Sequence, residues 1–215
     1  MKLVNSKTFA ATMLVFSLAV GGTNAYAFGL PKVPGLGASN TGGATVNSAK
    51  LAINARNALY SFAKSNAGLA AALGGYNELA AQQQLLEGMK VGDAAASKEQ
   101  IETLTTIHKS ASEAVKAKMA SNDQIDADQK KLASASMVEY VSGLVSSKKV
   151  VSSLQDVVKN PMAMGADADT LIYTAKEMPN IVSGGVQSTS SLFEYLSAKG
   201  VDVSEAKAAA ADLGK

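Results

Sequence analysis

Cysteine and tryptophan are absent from this chain of 215 residues, and histidine and arginine occur once each, as His108 and Arg56. The lack of cysteine excludes disulfides, thiolate metal sites, a cysteine nucleophile and a lipid anchor on cysteine. A single imidazole makes no zinc site without help from carboxylates, and the H-E-x-x-H pattern is missing. A single guanidinium leaves little for bidentate recognition of bases or phosphates. Charge is scarce too, at 18% of residues, and comes in no long blocks.

The formal charge of +2 comes from the N-terminus. Lys2 and Lys7 precede an uncharged run from Phe9 to Val20, and Ala25-Tyr26-Ala27 then offers a small-x-small cleavage site. This is the layout of a secretory signal peptide, 1–27, cleaved after Ala27. Twelve residues make about 18 Å of helix, short of a bilayer core of roughly 30 Å. The twin-arginine pattern is absent, so a bacterial Sec route to the periplasm or the medium is expected. Without Lys2 and Lys7 the chain carries 18 basic and 18 acidic side chains, which is no footprint for nucleic acid or anionic lipid. No later stretch is long and apolar enough to span a membrane.

Residues 28–45 are rich in glycine and proline and hold no apolar period, which reads as a flexible arm. Its Phe28, Leu30, Val33 and Leu36 suit docking on the body or on a partner. From 46 to 215 the helical period dominates and no strand alternation is sustained. The expected fold is all-α: one domain, an antiparallel bundle of about four to six helices with short connections and a core rich in Ala, Val and Leu.

A first helix over about 46–73 places Val46, Ala49, Ile53, Tyr60, Ala63 and Ala67 on one face. Gly74-Gly75 then break it or bend it into a second segment, about 76–90, with Leu79, Leu86 and Met89. Ser97 and Gln100 form a capping box that opens a third helix, with Ile101, Leu104, His108, Ala111, Val115 and Met119 in one stripe. Ser121 and Gln124 offer another box. In the fourth helix, about 125–159, Met137, Leu144, Val151 and Val158 recur every seven residues, with Tyr140, Val141, Leu154 and Val157 beside them, as a bundle seam shared within the chain or between chains. Asn160-Pro161 ends it. A fifth begins at Asp167 or Asp169 with Leu171, Ile172, Ala175 and Met178. Pro179 kinks or restarts it, and Ile181, Val182, Val186, Leu192, Phe193 and Leu196 carry the face on to Lys199. Gly200 stops it, and a short Ala-rich helix is capped by residues 202–205.

Tests for chemistry return little. The apolar stripe puts His108 at the edge of the core, tied to a carbonyl or carboxylate, in preference to a general base or ligand. Asp123, Asp126 and Asp128 fail the calcium-loop register: position six is Lys131 or Asp128 and position twelve is Met137 or Ser134, where glycine and glutamate are needed. They suit a helix N-terminus, as do Asp167 and Asp169. Ser-x-x-Lys occurs at Ser61/Lys64, Ser146/Lys149 and Ser204/Lys207, and about two matches are expected from composition alone. Glu102 and Glu113 are solitary. Lys130-Lys131 and Lys148-Lys149 read as solvated faces, with the Lys148 stem over apolar surface. Gly184-Gly185 and Pro179 allow a hinge or a ligand mouth, or close helix packing. Hence no catalytic or metal residues and no cofactor are assigned, and ligand-binding residues stay unknown. The expectation is a non-enzymatic, exported bundle acting on a protein partner or on itself in the cell envelope. A carrier of a hydrophobic small molecule or lipid is the alternative.

Overall fold

Asn47 accepts a hydrogen bond from the Lys50 backbone N–H on its side-chain oxygen and so starts the first helix. The structure, a computed structural model, describes residues 47–75, 79–89, 92, 94–159 and 164–214. The expected signal peptide, arm and Val46 lie outside these residues. The described residues form six α-helices and no strand: α1 (Ser48–Ala70), α2 (Ala80–Gly88), α3 (Lys98–Ser121), α4 (Ala127–Val158), α5 (Ala168–Ala198) and α6 (Ser204–Ala210). No described helix is long and apolar enough to cross a membrane.

Residue pairings give the directions. Tyr60 of α1 reaches the Leu86 carbonyl of α2, and Arg56 reaches the carbonyls of Gly92, Ala94 and Ala95, so α2 brings the chain back along α1. Asn66 then meets His108 and Ser112, which sets α3 parallel to α1. Glycine contacts at 68 and 143 pair α1 with α4 in the opposite sense, Gly68 facing Ser136 and Gly143 facing Phe62. Lys98 lies over the Tyr173 ring, Lys109 pairs with Glu177, and Tyr195 reaches the Lys118 carbonyl, so α5 again runs with α3. Each helix reverses the one before, and α1 packs against α3, α4 and α5 at once.

That central place changes the reading of α1. Leu51, Ala55, Leu59, Phe62, Ala63, Leu69 and Ala70 are all buried, and they face different neighbours. The stripe expected from the sequence is off: Ala49 is exposed, and Ile53 and Tyr60 are half-buried, while Ala63 and Ala67 are buried. The period is present: Lys50, Asn54, Asn57, Ser61, Lys64 and Gly68 are exposed or half-buried at helical spacing, and the expected stripe runs along the edge of the buried face instead of its centre. α1 ends at a true break. Gly74 takes φ +90, a conformation open to glycine, so α1 and α2 are two helices and not one bent one.

The Ser97–Gln100 capping box is present as expected. The second box is formed by Asp126 and Gln129 instead of Ser121 and Gln124, because α3 runs through Ser121 to a left-handed Asn122. In α4 the seven-residue seam holds for Met137 and Leu144, which are fully buried, but Val151 and Val158 are half-buried. Toward the C-terminal end the buried line passes to Val150, Leu154 and Val157, which pack with Leu51, Leu171 and Met178 in a second apolar cluster. Facing α1, that line contains Ser136, Gly143 and Ser147, whose small size lets the axes close.

α5 is unbroken through Pro179 and Gly184-Gly185. Its expected stripe is correct at Leu171, Met178, Ile181, Val182, Leu192 and Leu196, whereas Ile172 and Val186 are exposed. Gly185 is a packing glycine. A Cβ there would lie 2.7 Å from Phe62 Cζ and 2.8 Å from Leu144 Cδ1. One on Gly143 would lie 3.0 Å from the Phe62 backbone. Gly184 has open space around it.

These contrasts set a paired prediction. Gly143→Ala should destabilise the fold by about 1–3 kcal/mol, because the obstacle is backbone and must shift. Gly184→Ala should stabilise it by about 0.5–1 kcal/mol through helix propensity. Urea unfolding followed by circular dichroism checks both, and equal effects at the two positions would refute the packing account.

Candidate functional site

The one arginine is inside. Arg56 is 0% exposed on α1. Its Nη1 donates to the carbonyls of Ala94 and Ala95, at 2.8 and 3.1 Å. Its Nη2 donates to the Gly92 carbonyl and to Asn57 Oδ1, at 2.8 and 2.9 Å, and Nε reaches the same Asn57 oxygen at 3.3 Å. The five N–H groups of a guanidinium thus meet five acceptor contacts, all neutral. Among the described residues no carboxylate pairs with it. Burial lowers its pKa, yet a guanidinium keeps its charge in proteins. Asn57 fastens the same loop by donating to the Gly92 carbonyl and accepting from its N–H. The function of this pair is architectural: it ties the α2–α3 connection to α1. The sequence marks Arg56 by its uniqueness but carries no sign of where it points.

The one histidine is also inside, in the core itself and not at its edge. His108 of α3 is 7% exposed, and its ring stacks on Phe62 with centroids 4.6 Å apart. The partners differ from the expected carbonyl or carboxylate. Asn66 Nδ2 lies 3.3 Å from His108 Nδ1 and donates to Ser112 Oγ at 2.7 Å and to the His108 carbonyl at 3.2 Å. Ser112 Oγ lies 3.4 Å from His108 Nε2. The imidazole is neutral; its Nδ1 faces the Asn66 amide and its Nε2 faces the Ser112 hydroxyl, the donor in each contact being set by the tautomer. Burial, and then the nearby charges of Lys109 and Lys116, push its pKa down to about 4. Tyr140 of α4 closes the other side of Phe62 at 4.8 Å, and its hydroxyl donates to the Gly185 carbonyl at 3.3 Å. Burial pushes the Tyr140 phenol above its ordinary range.

Next to this network is a cleft of about 230 Å³ between α3 and α5, with α1 and α4 beneath. Asn66, Ser112, Val115, Lys116, Met119, Tyr140, Ser188, Ser191 and Leu192 line it. Sequence reasoning missed it, because its lining comes from four helices and the only local trace is the polar pair Asn66 and Ser112 on otherwise apolar stripes.

The remaining candidates stay apart. Asp126 caps α4, Asp128 pairs with Lys131, and Asp123 accepts from Ser121. Asp167 stands at the N-cap of α5 but accepts from Ser48 Oγ and makes no side-chain cap. No three acidic or histidine side chains among the described residues converge as a metal set. Ser61, Lys64, Ser204 and Lys207 are exposed, and no hydrogen bond joins serine to lysine in any of the three Ser-x-x-Lys sites among the described residues. Glu102 pairs with Lys98, and Glu113 is exposed. Lys148 does not end in water: it donates to the Leu213 carbonyl at 2.6 Å and ties down the C-terminal turn. Compared with protein-family models, with curated proteins and with solved structures, the chain matches none.

His108 links stability to pH. The folded state holds it neutral down to about pH 4, whereas the unfolded chain protonates it near 6.5. Its contribution is full above pH 6.5, is lost as pH falls toward 4, and is flat below that, about 3 kcal/mol in all. His108→Leu should flatten the stability profile between pH 6.5 and 4.5, as read by urea unfolding at each pH. Arg56→Met, which strands the carbonyls of Gly92, Ala94 and Ala95, should cost about 3 kcal/mol or more at every pH. An Arg56→Met protein as stable as the parent would refute the clamp.

Proposed function

We propose that the chain is an exported, non-enzymatic helical bundle that works by contact, as a protein-interaction module of a bacterial envelope. The observation that carries this reading is where its reactive groups sit. The single guanidinium and the single imidazole are both enclosed in the bundle and engaged in holding helices and a loop together. Asp126 caps a helix, Glu102, Asp128 and Asp156 pair with lysines on the surface, and most lysines other than Lys148 stand on solvated faces. What the outside offers is a helical surface with isolated apolar side chains, Leu85 on α2, Leu132 on α4, and Ile172 and Val186 on α5. Single exposed apolar residues are common on any protein surface, so the partner is to be sought with the whole helix face and not with one residue.

The carrier reading keeps one supporting observation, the cleft beside Asn66. At about 230 Å³ it lies below the roughly 300–1,000 Å³ of sites that enclose a drug-sized ligand. It suits a smaller molecule, part of it in solvent.

The full chain produced in a bacterium with a secretory pathway should appear outside the cytoplasm, with a mass shortened by cleavage after Ala27. The purified product should turn over nothing in a broad panel of esterase, amidase, phosphatase and glycosidase substrates. Turnover that His108→Ala or Ser112→Ala abolishes would overturn the non-enzymatic reading. A product retained in the cytoplasm at full mass would overturn export.

A further inference from the structure

The buried polar network at the α3–α5 cleft has an open end. Ser112 Oγ accepts from Asn66 Nδ2–H and lies 3.4 Å from His108 Nε2, so the network that begins at the buried imidazole reaches the rim of the cleft. Ser112 lines the cleft. Ser191 on the α5 side forms no hydrogen bond among the described residues and lines the same space. Lys116 stands one turn beyond Ser112 on α3. It is exposed, makes no ion pair among the described residues, and its charge is felt by the His108 ring behind. No carboxylate lines the cleft. Val115, Met119 and Leu192 supply the apolar wall.

We infer that this cleft binds a small amphiphilic monocarboxylate: its carboxylate on Lys116 and the hydroxyls of Ser112 and Ser191, its short apolar body against Val115, Met119 and Leu192. The chemistry is that of a charge-assisted site in which one ammonium and two hydroxyls line the same cleft and no acid among the described residues competes. Asn66 and His108 hold Ser112 from behind. The volume is that of about eight water molecules, which an eight-carbon chain fills with its end in solvent. The inference rests on the carrier reading of the cleft and narrows it to one ligand class.

The test is isothermal titration of the exported protein with octanoate, octan-1-ol and octylammonium, each kept below its aggregation concentration. Octanoate is expected to bind at least tenfold more tightly than the other two. Lys116→Gln should remove most of that preference and leave octan-1-ol unchanged. Ser191→Trp, at an exposed position where a large side chain is tolerated by the fold, should block octanoate at least tenfold while circular dichroism stays the same. Equal binding of octanoate and octan-1-ol, or an unchanged preference in Lys116→Gln, overturns the carboxylate assignment while the carrier reading stands. A preference for octylammonium overturns it as well and makes the unengaged Asn66 Oδ1 the selecting group. No binding of any of the three up to millimolar concentration overturns both.

Discussion

The bundle depends on the close approach of three helices around one aromatic ring. Phe62 is fully buried on α1. Gly143 of α4 sits against its backbone, Gly185 of α5 against its ring, and His108 of α3 is stacked on its face. A chain with 5% aromatic residues and many alanines gains little burial per side chain, at about 25 cal/mol for each Å² of apolar surface. It recovers packing by shrinking the distance between axes. Glycine at the crossing points removes the Cβ that would hold α4 and α5 away, and the ring fills the space left over. Every other contact of the core follows from that spacing, including the second apolar cluster, in which Leu51 and Ala55 meet Val150, Leu154, Leu171 and Met178.

Short distances bring polar groups into the interior, and each then needs a partner. The fold meets this requirement twice, in different ways. At Arg56 the partners are backbone carbonyls of a loop, so the cost of burying a cation is offset by ordering the return from α2 to α3. At His108 the partners are an amide and a hydroxyl from two helices, and the imidazole is held neutral. The first arrangement closes on itself, with every N–H of the guanidinium engaged. The second ends at Ser112, at the edge of a cleft.

Local signals were legible in the sequence, and relations among helices were less so. The Ser97–Gln100 box and the stop at Gly200 are set by a few neighbouring residues, and each is where the sequence places it, while the expected stop at Asn160-Pro161 lies outside the described residues. The α4 seam is legible at Met137 and Leu144, whereas Val151 and Val158 are half-buried because the C-terminal part of α4 turns Val150, Leu154 and Val157 into a second apolar cluster. In α1 the period is present at Lys50, Asn54, Asn57, Ser61, Lys64 and Gly68, and the expected stripe follows the edge of the buried face because alanines do not mark its centre. Ile172 and Val186 fail because hydrophobicity alone does not say which side of α5 is covered. The stripe places His108 near the core, but its partner Asn66 comes from α1, 42 residues away, and no spacing rule reaches that far.

The two interior polar sites also differ in what they leave for function. A guanidinium with all five donors engaged has no capacity to act on anything outside the protein. The same holds for the ammonium of Lys148, fixed to the Leu213 carbonyl. Ser112 is different, because its hydroxyl lies at the rim of a cleft that Ser191 and Lys116 also line. An apolar pair in place of Asn66 and His108 would pack the same core without desolvating two polar side chains. Their presence therefore calls for a reason outside core packing. In this fold the pair reaches the surface through Ser112, which both side chains contact.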